Sequence, residues 1–164
     1  MPILAQNSFE VISRSPDQTR RFGMRLGSIL HTGDVIGLSG DLGAGKTTLV
    51  QGMAAGWGSP DEASSPTFVL VNVYRRPDHC HLFHLDAYRL SGADEAFDLD
   101  IEAMLEHGPL VVEWAERIKA ALPANGLWIS MKWIDEFHRD MLLQGVGERY
   151  LTLLEALRKE IFKT

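Results

Sequence analysis

Cysteine is nearly absent from this chain, and Cys80 is the only one. No disulfide can close within the chain, and a reducing, cytoplasmic setting is expected. Cys80 itself reads as a small buried hydrophobe in a strand rather than a reactive thiol. Long apolar runs are missing too: none approaches the ~18 residues needed to span a bilayer, so no membrane association is expected. The opening stretch, Met1 to Asn7, has neither a basic n-region nor an apolar h-region, which argues against a secretory signal. Basic clusters are also lacking. Sixteen Lys and Arg face 22 Asp and Glu, giving a net charge of −6 with no basic run. A protein that grips nucleic acid unaided displaces counterions with a basic surface, so autonomous nucleic-acid binding is disfavoured. His79, His81, His84 and His107 are not spaced as a zinc site. His81 and His84 on one strand point to opposite faces, which rules out a metal cluster between them. With no repeat, linker or low-complexity segment, 164 residues read as a single domain spanning 1–164.

What is present is Gly40-Asp41-Leu42-Gly43-Ala44-Gly45-Lys46-Thr47, followed by Thr48. This fits G-x-x-x-x-G-K-[ST], the phosphate-binding P-loop. Glycines let the backbone approach a ligand closely, and successive N–H groups then form a nest for phosphate oxygens. The helix that follows adds unpaired N–H donors and the positive end of its dipole. Lys46 would reach the β- and γ-phosphates, and the Thr47 hydroxyl would take one position on Mg²⁺. The flanks suit the motif: Asp34 to Ser39 reads as a short buried strand. Thr47 to Ala55 reads as a helix with Leu49, Val50, Met53 and Ala54 on one face.

The rest of the chain alternates strands and helices. Phe9 to Ser13 predicts a strand near a sheet edge. Ser15 as N-cap and Pro16 at the first helical position start a helix running to about His31. Asp61 to Thr67 is polar and proline-broken, hence a loop, and leads into a strand from Phe68 to Tyr74. With His81 to Asp86 this makes an antiparallel hairpin. Ser91 to His107 predicts one helix, Leu110 to Val112 a buried strand delivering Glu113 and Trp114 at its tip, and Ala115 to Leu122 a short helix. Strands over 128–134 and 139–144 pair, and a terminal helix from Glu148 to about Phe162 places Leu151, Leu154, Leu157, Arg158 and Ile161 at helical spacing. The fold class is α/β: a P-loop NTPase fold whose mixed sheet, a mostly parallel core with antiparallel hairpins, is flanked by helices.

A P-loop enzyme needs a further acidic group near Mg²⁺, usually at the tip of a neighbouring strand. Asp86 and Glu113 both qualify, and strand tips alone do not choose between them. Ser65-Pro66-Thr67 lies where switch loops place a hydroxyl near the γ-phosphate, yet the same residues would serve as a turn and strand start. Arg89 could steady phosphate or pair with a carboxylate. A GTPase is excluded by the absence of an Asn-Lys-x-Asp stretch. A small-molecule kinase remains an alternative, although the acidic segment bearing Asp94, Glu95, Asp98, Asp100, Glu102 and Glu106 suits a phosphate lid poorly. A nucleotide-dependent binding module without useful hydrolysis is another.

Gly40 to Thr48, Ser65 to Asn72, His84-Leu-Asp-Ala-Tyr-Arg-Leu90 and Val112-Glu-Trp-Ala-Glu116, in this order and spacing, resemble the TsaE (YjeE) family. Thr19 to Gly23 resembles that family's first helix, and the resemblance is good over about residues 15–123. It implies the ATPase component of the bacterial machinery that makes threonylcarbamoyladenosine beside the tRNA anticodon, with ATP and Mg²⁺ as ligands. It also implies TsaD and TsaB as partners, with tRNA met only through their complex. By the same resemblance Lys46 and Thr47 are the P-loop pair, and Glu113 matches a magnesium-linked glutamate. Asp86 matches an aspartate of hydrolysis and Thr67 a switch-like threonine. Trp114 matches a tryptophan important for activity, grouped with the nucleotide-binding residues. The base is expected between Asp17–Thr19 and the loop Glu136–Arg139. Two positions depart from the pattern: Ala115 where proline is frequent, and Asp100 where glycine is common.

Overall fold

A computed structural model describes residues 7–41, 45–61 and 71–161. Its elements are β1 (Ser8–Ser13), α1 (Pro16–Ser28), β2 (Val35–Gly40), α2 (Lys46–Trp57), β3 (Val71–Arg75), β4 (His81–Asp86), α3 (Ala93–Phe97), α4 (Ile101–His107), β5 (Leu110–Glu113), β6 (Gly126–Trp133), β7 (Arg139–Val146) and α5 (Glu148–Ile161). They form one seven-stranded sheet in the order β1-β7-β6-β2-β5-β4-β3. The four central strands run parallel, β6 with β2, β2 with β5, and β5 with β4. The outer pairings are antiparallel: β1 with β7, β7 with β6, and β4 with β3. This is the expected mixed sheet, with β1 at an edge.

Two apolar layers cover the sheet. On one side α1, α2 and α5 bury Phe22, Leu26, Leu49, Met53, Leu153 and Leu157 against Ile36, Leu38, Val111 and Ile129. On the other, Leu85, Leu110 and Val112 meet Ala96, Ile101, Ile118 and Leu122. The two-residue period of a strand sorts β5 cleanly, with Leu110 and Val112 to one layer and Val111 to the other. Glu113 therefore continues the Val111 side, toward α2. No helix among the described residues is long and apolar enough to cross a membrane.

Four expectations are corrected. The helix from Ser91 to His107 is two helices, α3 and α4, broken at Asp100, whose φ of 54° is left-handed. Glycine tolerates that conformation best. Asp100 adopts it as well, and its carboxylate accepts the N–H of Ala103, capping α4. The segment from Ala115 to Leu122 is two separate 3₁₀ turns, Ala115–Arg117 and Lys119–Ala121. Helix α1 ends at Ser28 rather than near His31, where the main-chain N–H of His31 instead meets the Asp34 carboxylate at 2.7 Å. In α5, Leu151 faces solvent, and Tyr150 and Leu153 join Leu154 and Leu157 on the buried face. The expected strand start at Phe68–Leu70 and the end of the last helix at Phe162 lie outside the described residues.

Candidate active site

The carboxyl ends of β2, β4 and β5 converge on the N-terminus of α2. Gly40 closes β2 at a φ of 143°, and a Cβ there would stand 2.3 Å from the Met131 carbonyl oxygen. Gly45, at a φ of 95°, turns the chain into α2 and offers no side-chain cap. Only glycine meets both demands without strain. Leu42, Gly43, Ala44 and Thr67, together with Ser65 and Pro66, lie outside the described residues.

Lys46 is 6% exposed although cationic. Its Nζ donates to the carbonyls of Gly40 at 2.6 Å and Asp41 at 3.1 Å. It also stands 3.9 Å from the centroid of the Trp114 ring. Burial holds its ammonium below the ordinary lysine range, opposed by the charges of Glu113, Glu116, Asp86 and Asp41. Thr47 and Thr48 follow in the first turn of α2.

Asp86 and Glu113 are register partners on adjacent parallel strands. Glu113 is 3% exposed, whereas Asp86 is half-buried and accepts the Tyr88 N–H at 3.0 Å. Burial, reinforced by the charge of Glu113, raises the Asp86 carboxyl above its ordinary value. Trp114, directly after Glu113, takes a left-handed φ of 58°, which is strained for a bulky side chain. That turn lays its ring against Lys46, with Tyr88 at 5.1 Å. Arg89 is exposed.

Beside the P-loop, Pro16, Thr19, Gly45, Thr48, Glu136, Phe137 and Arg139 line a small cleft. It lies between the two segments expected to hold the base. Arg139 Nε is buried there without a hydrogen-bond partner among the described residues.

His84, which is not spaced as a zinc ligand, and Tyr74 join the site through Glu113. His84 Nε2 lies 2.6 Å from Glu113 Oε2, and its Nδ1 lies 2.8 Å from the Tyr74 hydroxyl. The signal was present in the two-residue spacing of His84 and Asp86, which puts both on the α2 side of β4. Among the described residues no group of three His, Cys, Asp or Glu side chains forms a ready metal cluster.

A family model described as "Threonylcarbamoyl adenosine biosynthesis protein TsaE" matches residues 13–141. Three relatives bear the name tRNA threonylcarbamoyladenosine biosynthesis protein TsaE. The one from Treponema pallidum is 38% identical over 79% of this chain and 96% of its own length. Those from Streptomyces coelicolor and Bacillus subtilis are 41% and 36% identical, over 81% and 88% of this chain and 94% and 90% of their own. The crystal structure of YdiB from Bacillus subtilis superposes with a TM-score of 0.74 at 32% identity, covering 94% of this chain and 96% of that one. The P-loop NTPase fold is shared between them.

Proposed function

Because this chain belongs to the TsaE family of threonylcarbamoyl adenosine biosynthesis proteins, we propose that it is the Mg²⁺-dependent ATPase subunit of that tRNA modification, working in the cytoplasm on a TsaD–TsaB complex. The observation that carries the proposal is the convergence of Lys46, Asp86, Glu113 and Trp114 on the open N-terminus of α2. The net charge of −6 agrees with tRNA being held by the partners.

The α2 N-terminus and the Gly40 to Thr48 backbone bind the phosphates of ATP. Lys46 exchanges its two carbonyl acceptors for phosphate oxygens, a stronger charge-assisted contact. The donor set suits Mg²⁺: Thr47 and Glu113 offer the hard oxygen ligands it prefers, and two adjacent carboxylates against one ammonium leave negative charge for a divalent cation to offset. Thr47 and Glu113 would hold the metal, and magnesium when bound would neutralise charge on the β- and γ-phosphates. Asp86 has the raised proton affinity that suits a group orienting or deprotonating the attacking water. Trp114 walls the lysine side of the site from solvent, and Thr67 is assigned to the γ-phosphate side.

Phosphoryl transfer depends on positioning and electrostatics, so a site completed by a partner is slow alone. Phosphate release measured on the chain alone and with purified TsaD–TsaB tests this. A rise of at least about tenfold, or ~1.4 kcal/mol of transition-state stabilisation, is expected. Thr67→Ala and Trp114→Ala should lose that stimulation more than they lose ATP binding. Equal turnover with and without partners, at saturating ATP and magnesium, overturns the proposal.

A further inference from the structure

The proposed chemistry leaves the buried His84 side chain without a role. His84 is 0% exposed, between Tyr74 at 3% and Glu113 at 3%. The three side chains link β3, β4 and β5 in order across the sheet, at 2.8 Å and 2.6 Å. Burying polar groups is costly unless each is bonded, and an apolar side chain would fill the same space without that demand. The linkage therefore has a use besides packing.

The hydrogen-bond roles follow from the acceptor. With Glu113 as the carboxylate that a magnesium ligand must be, its oxygen only accepts, and His84 Nε2–H is the donor to Oε2. In the neutral ring Nδ1 is then bare, and the Tyr74 hydroxyl donates to it. The carboxylate thus selects the tautomer, Tyr74 holds the tilt of the ring, and the ring holds one carboxylate oxygen. Among the described residues no other side chain hydrogen-bonds that carboxylate. A glutamate left to itself would sample several rotamers at the strand tip.

We propose that His84, oriented by Tyr74, is a positioning residue that locks the Glu113 carboxylate so that it meets Mg²⁺ in one orientation. The inference rests on the reading of Glu113 as a magnesium ligand. It belongs with the outer-shell partners of metal ligands, whose loss costs about 10–100-fold in metal affinity.

The test uses the full chain with ADP and Mg²⁺, followed by isothermal titration calorimetry. ADP affinity is measured first in chelator, then Mg²⁺ is titrated onto the ADP-bound protein. His84→Ala should weaken the apparent Mg²⁺ affinity about tenfold or more. Tyr74→Phe should weaken it by less, and His84→Gln, whose amide can still donate, should recover part of the loss. ADP affinity in chelator should stay at the wild-type value throughout. Wild-type Mg²⁺ affinity in Tyr74→Phe and His84→Ala overturns the inference. So does a loss of chelator-phase ADP binding in step with the loss of Mg²⁺ binding, because that signals a collapsed site. If His84→Ala does not fold, Tyr74→Phe, which conserves volume, decides alone by the same criterion. A wild-type chain that binds ADP without any magnesium dependence overturns the underlying reading and the inference together. Magnesium dependence with unaltered variants overturns the inference only.

Discussion

The ammonium of Lys46 is held between the face of the Trp114 ring, 3.9 Å away, and the carbonyl oxygens of Gly40 and Asp41. A cation so placed is partly satisfied by the protein and is released only to a stronger acceptor, such as phosphate. Lys46→Ala should lower partner-stimulated ATP turnover by about a hundredfold or more while circular dichroism stays unchanged. Trp114→Ala should reduce kcat more than ATP affinity, and Trp114→Phe, which keeps a ring face, should restore most of the rate. Unaltered turnover in Lys46→Ala would remove the P-loop from the mechanism.

Asp86 and Glu113 share one register position, and the proposed function gives them different roles. Glu113→Gln should weaken Mg²⁺-dependent nucleotide binding, whereas Asp86→Asn should spare binding and slow hydrolysis. Asp86 also predicts a pH effect without ligands. Its carboxyl is raised above the ordinary 3.8 by burial and then by the Glu113 charge. The stability conferred by the protonated form is complete below that ordinary value and is lost as pH rises through the raised one. Asp86→Asn mimics the protonated form and keeps an oxygen for the Tyr88 N–H. In magnesium- and nucleotide-free buffer it should melt above the wild type at neutral pH, with the difference closing as pH falls toward 3.8. Thermal denaturation across that range checks the sign.

Helices α1 and α2 touch through glycines. A Cβ at Gly27 would lie 2.1 Å from the Met53 carbonyl oxygen, and one at Gly52 would lie 2.0 Å from that of Arg20. Backbone cannot yield as a side chain tip does, so Gly27→Ala and Gly52→Ala should each cost about 3 kcal/mol. Gly92→Ala, with nothing within 4 Å of its Cβ, should stay within about 0.5 kcal/mol. Chemical denaturation of the three variants separates close packing from a general intolerance of alanine.

Arg149 on α5 grips Asp34, just before β2, with two hydrogen bonds of 2.9 Å and 2.7 Å, and it also donates to the Ile29 carbonyl at 3.0 Å. Asp34 is only 3% exposed, so losing the guanidinium leaves a poorly solvated charge. Arg149→Ala should cost about 2 kcal/mol of stability. ATP affinity, measured below the melting transition, should not change, because the pair lies at the opposite end of β2 from Gly40.

Local chemistry is written one residue at a time, and it was legible as such. The glycine pattern from Gly40 to Gly45, the apolar run before it and the helix after it specify strand, loop and helix through backbone freedom and periodicity alone. The hairpin of β3 with β4, the edge position of β1 and the tips carrying Asp86 and Glu113 follow from the same short-range rules. Asp100 was noticed as a departure, yet a composition rich in helix formers hid the left-handed residue that splits α3 from α4. One strained φ outweighs weak propensities summed over neighbours. Other features depend on which strands become neighbours. The order β2-β5-β4-β3 places Glu113 beside Asp86, His84 beside Glu113 and Tyr74 beside His84, contacts between residues as many as 29 positions apart. The glycine contacts of α1 with α2 likewise need the interhelical distance, which no pattern in either helix states. Sequence is enough for the glycine-rich segment that opens at Gly40 and the elements around it, because those depend on neighbours along the chain. Tertiary structure alone decided which side chains share the buried space around Glu113, because only the folded sheet closes the loops that bring them together.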